Sequence, residues 1–398
     1  MRRRLTVSLE ILEMETSETL LAKLISFDTV SRKSNLELID FIRDYLAQQG
    51  LDSQLIEDRS RTKASLFATI GVSSRPGFLL AGHTDVVPVV GQRWTTDPFE
   101  LNHRDGRLYG RGSADMKGFI ACVLAAVPRF QRQLLRVPIH LALTCDEELG
   151  WIGLHDLLED SGNLPIQAEM GVVGEPTSMR PMLGHKGKVA IRVEVRGLEC
   201  HSSTPAAGVN AIQNAAELIT FIRQLNQQRQ SHGPFDPQFE APHTTLHVGT
   251  IHGGTVLNVV PSECIFDFEI RYLPQDPAEP ILETIRKFAA EEIEPEMKRM
   301  NPACGISFRE RFSYPGLSLA PDAPVVSMVQ ALLDSELSTG KVAFGTEAGL
   351  YQERCGIPMV VCGPGDMANA HQADEYVAAS QISACDRFLD RLAQALSR

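Results

Sequence analysis

The chain has 398 residues, 43% hydrophobic and 22% charged, which suits a globular protein of two domains better than a single core. Its formal net charge of -12 argues against nucleic acid or an anionic membrane as the main partner, although local cations could still hold an anionic substrate. No apolar run reaches the roughly 18–20 residues needed to span a bilayer.

Met1 to Met14 carries Arg2, Arg3 and Arg4, but Glu10 and Glu13 interrupt any signal-peptide core. Residues 1–14 therefore read as a disordered extension. Residues 17–49 have helical apolar spacing, with a stop at Gly50. Strands are predicted at 64–70, 78–82, 138–144, 170–173 and 358–362, alternating with helices at 117–134 and 151–159. That alternation predicts an α/β fold: a mostly parallel sheet flanked by helices.

The middle of the chain differs. A half-exposed strand at 187–197, a helix at 209–229, strands at 244–251 and 262–273 and a helix at 277–298 make a β-α-β-β-α order. This suits an inserted α+β, ferredoxin-like unit. The expected division is 15–184 plus 300–398 for one discontinuous domain and 185–299 for the insertion. The eight cysteines form no CxxC pair, so they read as free thiols of a reducing compartment, the cytoplasm.

Polar clusters follow several of the apolar runs. His83 lies just past one strand, with Asp85 two residues on. The carboxylate could fix the tautomer of a ligating imidazole. Asp115 ends the glycine-rich stretch Gly110-Arg111-Gly112-Ser113-Ala114-Asp115, which fits neither the P-loop nor the dinucleotide fingerprint. It could bridge two cations or simply cap the following helix. Glu147 and Glu148 follow the strand before Cys145. In extended chain they would point opposite ways, one to a metal and one to a substrate water. Glu175 follows Val172-Val173-Gly174, and His371 comes late in the chain. Of eleven histidines, only His83 and His371 have a ligand context. Imidazole with carboxylate suits zinc, and also cobalt or manganese.

Taken together, Gly82-His83-Thr84-Asp85-Val86-Val87-Pro88, the 110–118 stretch and Asp146-Glu147-Glu148-Leu149-Gly150 resemble the dinuclear zinc hydrolases. That family includes aminoacylase, carboxypeptidase G, succinyl-diaminopimelate desuccinylase and acetylornithine deacetylase. The resemblance runs from about residue 17 to the C-terminus. It implies two divalent ions per subunit, zinc or cobalt: His83 and Glu175 on one, Glu148 and His371 on the other, and Asp115 between them before a cis peptide to Met116. It implies Glu147 as general base and then acid. The insertion would be a lid and dimerisation domain of a homodimer, with His201 stabilising an oxyanion from across the dimer. Asn258 and Arg271 would hold the carboxylate of an N-acyl amino acid.

Gly184-His185-Lys186-Gly187, Gly345-Thr346-Glu347-Ala348 and Cys362-Gly363-Pro364-Gly365 look most like the acetylornithine deacetylase branch. That likeness implies hydrolysis of N-acetyl-L-ornithine in arginine biosynthesis, with Gly345, Thr346 and Glu347 at the substrate. Glu347 could favour a cationic side chain or be a structural carboxylate. Gln372-Ala373 and Met367-Ala368-Asn369 depart from that branch, which leaves another N-acyl amino acid open. An inactive binding protein on the same fold is the non-enzymatic alternative, and the complete ligand set with Glu147 counts against it.

Overall fold

The computed structural model describes residues 15–72, 75–160, 166–334 and 337–397; the extension 1–14 lies outside them. Helix ends follow local chemistry. Thr16 caps helix Ser17–Ile25 by accepting the Thr19 N–H at 3.2 Å. Asn210 caps Ala211–His232 in the same way through the Gln213 N–H, and Gly233 at φ 74° ends it.

The larger sheet has nine strands. Its order is Ser53–Glu57, Ala64–Ile70, Ile139–Thr144, Gly77–His83, Ala168–Pro176, Met359–Gly363, Met182–His185 and Leu317–Ser318, with Gly340–Val342 also on Met182–His185. The four middle strands, Ile139–Thr144 to Met359–Gly363, run parallel. Antiparallel pairs close both flanks. The predicted parallel sheet is thus the centre of a mixed one. Gly77–His83 and Ile139–Thr144 are buried along their whole length, which explains their unbroken apolar runs. Helix Lys117–Arg132 packs between Ser17–Ile25 and Ala379–Leu396, so the two ends of the chain share one core.

The smaller sheet is antiparallel, in the order Thr245–Gly253, Glu263–Tyr272, Gly187–Arg196, Gly305–Tyr314. Ile191, Val193 and Val195 alternate onto a second core with Phe266, Phe268, Leu218, Ile222 and Ile285. Helices Ala211–His232 and Ala278–Phe288 cover that face. Gly305–Tyr314 pairs with Gly187–Arg196, so the smaller sheet takes its fourth strand from beyond residue 300. In the sequence Glu310 interrupts the apolar alternation of Ile306, Phe308, Phe312 and Tyr314, and in the structure a register shift between Glu310 and Phe312 turns Phe312 and Tyr314 towards the cleft. Among the described residues, no helix is long and apolar enough to cross a membrane.

Candidate metal centre

Parallel pairing sets the first two candidate ligands, His83 and Glu175, side by side. His83 is the last residue of its strand, and Ala81 pairs with Val173, so Glu175 emerges at the same level on the adjacent strand. The His83 Nε2 atom lies 3.9 Å from Glu175 Oε1. On the other side His83 pairs with Thr144, which delivers the Glu147-Glu148 turn to the same sheet edge. Carboxyl ends of parallel strands are where open α/β sheets gather ligands.

Asp115 stands at the centre. Its Oδ1 lies 3.0 Å from His83 Nε2 and its Oδ2 lies 3.1 Å from His371 Nε2. It does not cap the next helix: the residue in that place is Met116, which makes no side-chain cap bond. The Asp115–Met116 peptide is cis. His371 Nε2 also lies 3.0 Å from Glu148 Oε1. Two donor groups therefore share Asp115: His83, Asp115 and Glu175, then Asp115, Glu148 and His371, with each group's ligand atoms within 4.8 Å of one another.

Asp85 has a second task besides orienting His83. The His83 Nδ1 donates to the Asp85 backbone carbonyl at 3.0 Å, and the Asp85 carboxylate is 3.6 Å from the same nitrogen. That carboxylate accepts from the Glu147 N–H at 3.0 Å, the Glu148 N–H at 3.4 Å and Ser31 Oγ at 2.8 Å. It caps a 3-10 turn, Glu147–Leu149, where extended chain is expected from the sequence. Within this turn the two glutamates do not point opposite ways: Glu147, Glu148 and His83 bring ligand atoms to within 4.8 Å of one another. Asp146 leaves the acidic trio at φ 55° and pairs with buried Lys63.

The charges here ask for cations. Burial, then the nearby charges of Glu148, Asp115 and Glu347, push the Glu147 carboxyl well above its ordinary value. Burial and the Asp115 charge do the same to Glu175 and, less strongly, to Glu148. Burial opposes ionisation of Asp115 too, yet hydrogen bonds from His371 and His83 hold it below the ordinary range. Hydrogen bonds to Asp115 and Glu148 lift His371 to about 10. Four carboxylates around two imidazole nitrogens, with no thiolate, fit two hard or borderline divalent ions.

A cleft of about 880 Å³ opens over this centre, between the two sheets. Glu147, Glu148, Glu175, Asp115 and His371 line its floor, and Lys188, Arg271, Arg311, Phe312 and Tyr314 of the smaller sheet line the facing wall. Arg271 reaches the cleft and donates from Nε to Glu269 at 2.9 Å; Gly345 also lines it. Thr346 and Glu347 are buried behind the cleft and are not among its lining residues. Glu347 accepts from Thr144 Oγ1 at 2.6 Å, and Thr346 Oγ1 accepts the Ala348 N–H at 3.2 Å. His201 and Asn258 are exposed and stand outside the cleft; His201 Nδ1 lies 2.7 Å from Ser203 Oγ.

Several residues at the centre have roles that no motif announces. Trp151 donates from Nε1 to Glu147 Oε1 at 2.6 Å, while its ring packs 4.1 Å from Tyr314. Glu375 accepts four bonds: from Arg111 Nη1 at 2.5 Å and from the N–H groups of Gly112, Ala114 and Asp115 at 3.0, 2.9 and 3.0 Å. The signal for Glu375 was the loop itself: a tight buried run of N–H groups at 112–115 needs an acceptor from elsewhere.

The profile of the peptidase family M20/M25/M40 matches residues 79–395. An acetylornithine deacetylase of Pasteurella multocida (strain Pm70) is 34% identical over 92% of this chain and 93% of its own. Another, from Myxococcus xanthus, is 36% identical over 93% and 95%. A tripeptidase structure from Staphylococcus aureus shares the fold at TM-score 0.75 and 23% identity, covering 97% of this chain and all 100% of that one. A dinuclear metal-binding M20 peptidase of Bacillus subtilis does so at TM-score 0.67 and 15% identity, covering 95% and 97%. With two donor groups meeting on one carboxylate beneath a cleft, and a match over most of its length, the chain belongs to the peptidase family M20/M25/M40 and is a metal-dependent hydrolase.

Proposed function

We propose that the protein hydrolyses the amide bond of N-acetyl-L-ornithine to L-ornithine and acetate, a step of arginine biosynthesis in the cytoplasm. The observation that carries the reaction type is Asp115 shared between two imidazoles, with Glu147 beside it on the cleft floor. The substrate rests on the acetylornithine deacetylases that the chain resembles over more than nine-tenths of its length. Eight cysteines, all free, suit the cytoplasm.

In this reading His83 and Glu175 would hold one divalent ion, Glu148 and His371 the other, and Asp115 would serve both, with zinc favoured by the donor set and cobalt also suited. Such ions would activate a water and polarise the scissile carbonyl. Glu147 takes a proton from the attacking water on its carboxylate and gives it to the departing amine nitrogen as the C–N bond breaks. Trp151 fixes the Oε1 of Glu147, so the other oxygen is left to face the cleft. Arg271 receives the substrate carboxylate, and Gly345 borders the bound molecule.

Residues 185–299, extended by Gly305–Tyr314, form the lid and dimerisation domain over the domain made of the first and last segments. His201 and Asn258 then serve the cleft of a second copy of the chain, His201 at the developing oxyanion and Asn258 at the carboxylate. Thr346 and Glu347 support the pocket from behind in this reading, so any preference for the ornithine ammonium acts through the buried Glu347 charge.

A second reading has an observation of its own. Apart from the site acids, the cleft is lined by Arg32, Lys188, Arg271 and Arg311 against one carboxylate, Asp267, among the described residues. Such a wall suits an acyl amino acid with an additional carboxylate, such as an N-succinyl compound. Turnover of zinc-loaded protein on N-acetylornithine, N-acetylmethionine, N-succinyl amino acids and dipeptides separates the two. Preference for N-acetylornithine by tenfold or more is expected. Equal turnover of N-acetylmethionine, or preference for the succinyl compounds, overturns the substrate assignment and leaves the reaction type standing.

A further inference from the structure

The second donor group has a weaker backbone frame than the first. His371 lies on a turn at φ 60°, its side chain is 47% exposed, and no strand carries it. Yet its imidazole meets both Asp115 and Glu148 at about hydrogen-bond distance. Something must hold that turn against the 110–115 loop, some 256 positions away in the chain.

Backbone pairing of Tyr376–Ala378 with Arg107–Tyr109, and the Gly110 N–H on the Glu375 carbonyl at 2.9 Å, bring the two segments together; a closed run of side-chain hydrogen bonds then reaches His371 itself. The His371 carbonyl accepts from Gln92 Nε2 at 2.9 Å. The other end of that amide, Gln92 Oε1, accepts from Arg111 Nη2 at 2.6 Å and from Trp94 Nε1 at 3.0 Å. Arg111 Nη1 donates to Glu375 at 2.5 Å, and the same Glu375 carboxylate accepts the Asp115 N–H at 3.0 Å. Arg111 and Glu375 are each 1% exposed. One fully buried guanidinium is thus the joint between the backbone of the bridging carboxylate and the backbone of the loop histidine. A planar fork with donors on both sides suits this joint, and a lysine would not span it. On the other half, His83 and Glu175 are set by strand pairing and meet this run only through Asp115, whereas His371 is held by it directly through Gln92.

We propose that Arg111, with Glu375 and Gln92, is a positioning device that fixes the separation of Asp115 and His371 and thereby selectively sets ion affinity at the Asp115–Glu148–His371 position. This rests on the two-ion reading above. The three residues touch neither substrate nor ion in this account. They act through the ligands they hold, and loss of such supports typically weakens metal binding about 10–100-fold.

The test is zinc titration of the metal-free full-length chain by calorimetry, with chelator competition, for wild type, Gln92→Ala, Arg111→Lys and His371→Ala. Wild type should bind two zinc ions per chain, and His371→Ala identifies which binding event belongs to the second position. Gln92→Ala, which leaves the buried Arg111–Glu375 pair in place and so keeps the fold, should weaken that event about tenfold or more. It should leave the other event within about threefold of wild type. Arg111→Lys should weaken the same event further, with folding checked by circular dichroism. Unchanged affinities in Gln92→Ala, or equal weakening of both events, overturn the proposal. A wild-type chain that binds only one zinc sinks the two-ion reading and this inference with it.

Discussion

His83 and Glu175 stand on neighbouring parallel strands and their side chains are 1% and 3% exposed, whereas Glu148 and His371 stand on a 3-10 turn and a loop with side chains 11% and 47% exposed. The first pair inherits its geometry from the backbone ladder, which also carries the core. The second pair lies beyond the ends of its nearest strands and is finished by side-chain hydrogen bonds: Asp85 under the Glu147-Glu148 turn, and Arg111, Gln92 and Glu375 beneath Asp115 and His371. One half of the centre is therefore bound up with folding, and the other can be altered with the fold intact. Asp115 joins the two.

Glu147 lies between the halves and gives the sharpest contrast with the ligands. Glu147→Gln keeps the size of the side chain and its Trp151 contact but removes the proton-accepting carboxylate. Turnover should fall by about 10²–10⁴-fold with zinc content unchanged, read by steady-state kinetics and elemental analysis on one preparation. Loss of zinc along with activity would make Glu147 a ligand instead.

The unequal framing of the two halves should next appear in stability. In metal-free protein, His83→Ala leaves buried Asp115 and Asp85 without their imidazole and should cost about 3 kcal/mol in urea unfolding. His371→Ala, at a half-exposed site, should cost less than about 1 kcal/mol. Equal costs would erase the distinction between a ladder-borne and a loop-borne half.

A pH-dependent effect concerns Glu347, whose carboxyl burial pushes from its ordinary 4.5 up to about 7. The folded chain then holds a proton that the unfolded chain has released. This group therefore lowers stability as pH rises from about 4.5 to about 7, with no further change above that window. Glu347→Gln should flatten this part of the melting-temperature profile while its amide oxygen still accepts from Thr144. A mutant profile parallel to that of wild type would show that the carboxyl titrates normally.

The sequence reveals the ladder-borne half more readily than the other. His83 and Glu175 close long apolar runs, because central parallel strands are buried on both faces and end abruptly at a polar edge. His371 follows no such run; its place depended on likeness to the family motif. Trp151, Gln92 and Glu375 act through contacts across 4, 279 and up to 264 positions, and no local periodicity encodes those. In the fourth strand of the smaller sheet the charged run Arg309-Glu310-Arg311 obscures the apolar alternation, and the bulge at Arg311 puts Arg311 and Phe312 together on the cleft wall. The sequence at Glu147-Glu148 suggests extended chain after the strand, because the acceptor that turns it, Asp85, lies 62 positions earlier.

The most direct test is anomalous diffraction from crystals of zinc-loaded protein. Two zinc peaks per chain are predicted, one on each side of the Asp115 carboxylate, the first against His83 and Glu175 and the second against Glu148 and His371. A single peak, or zinc bound away from Asp115, would contradict the account.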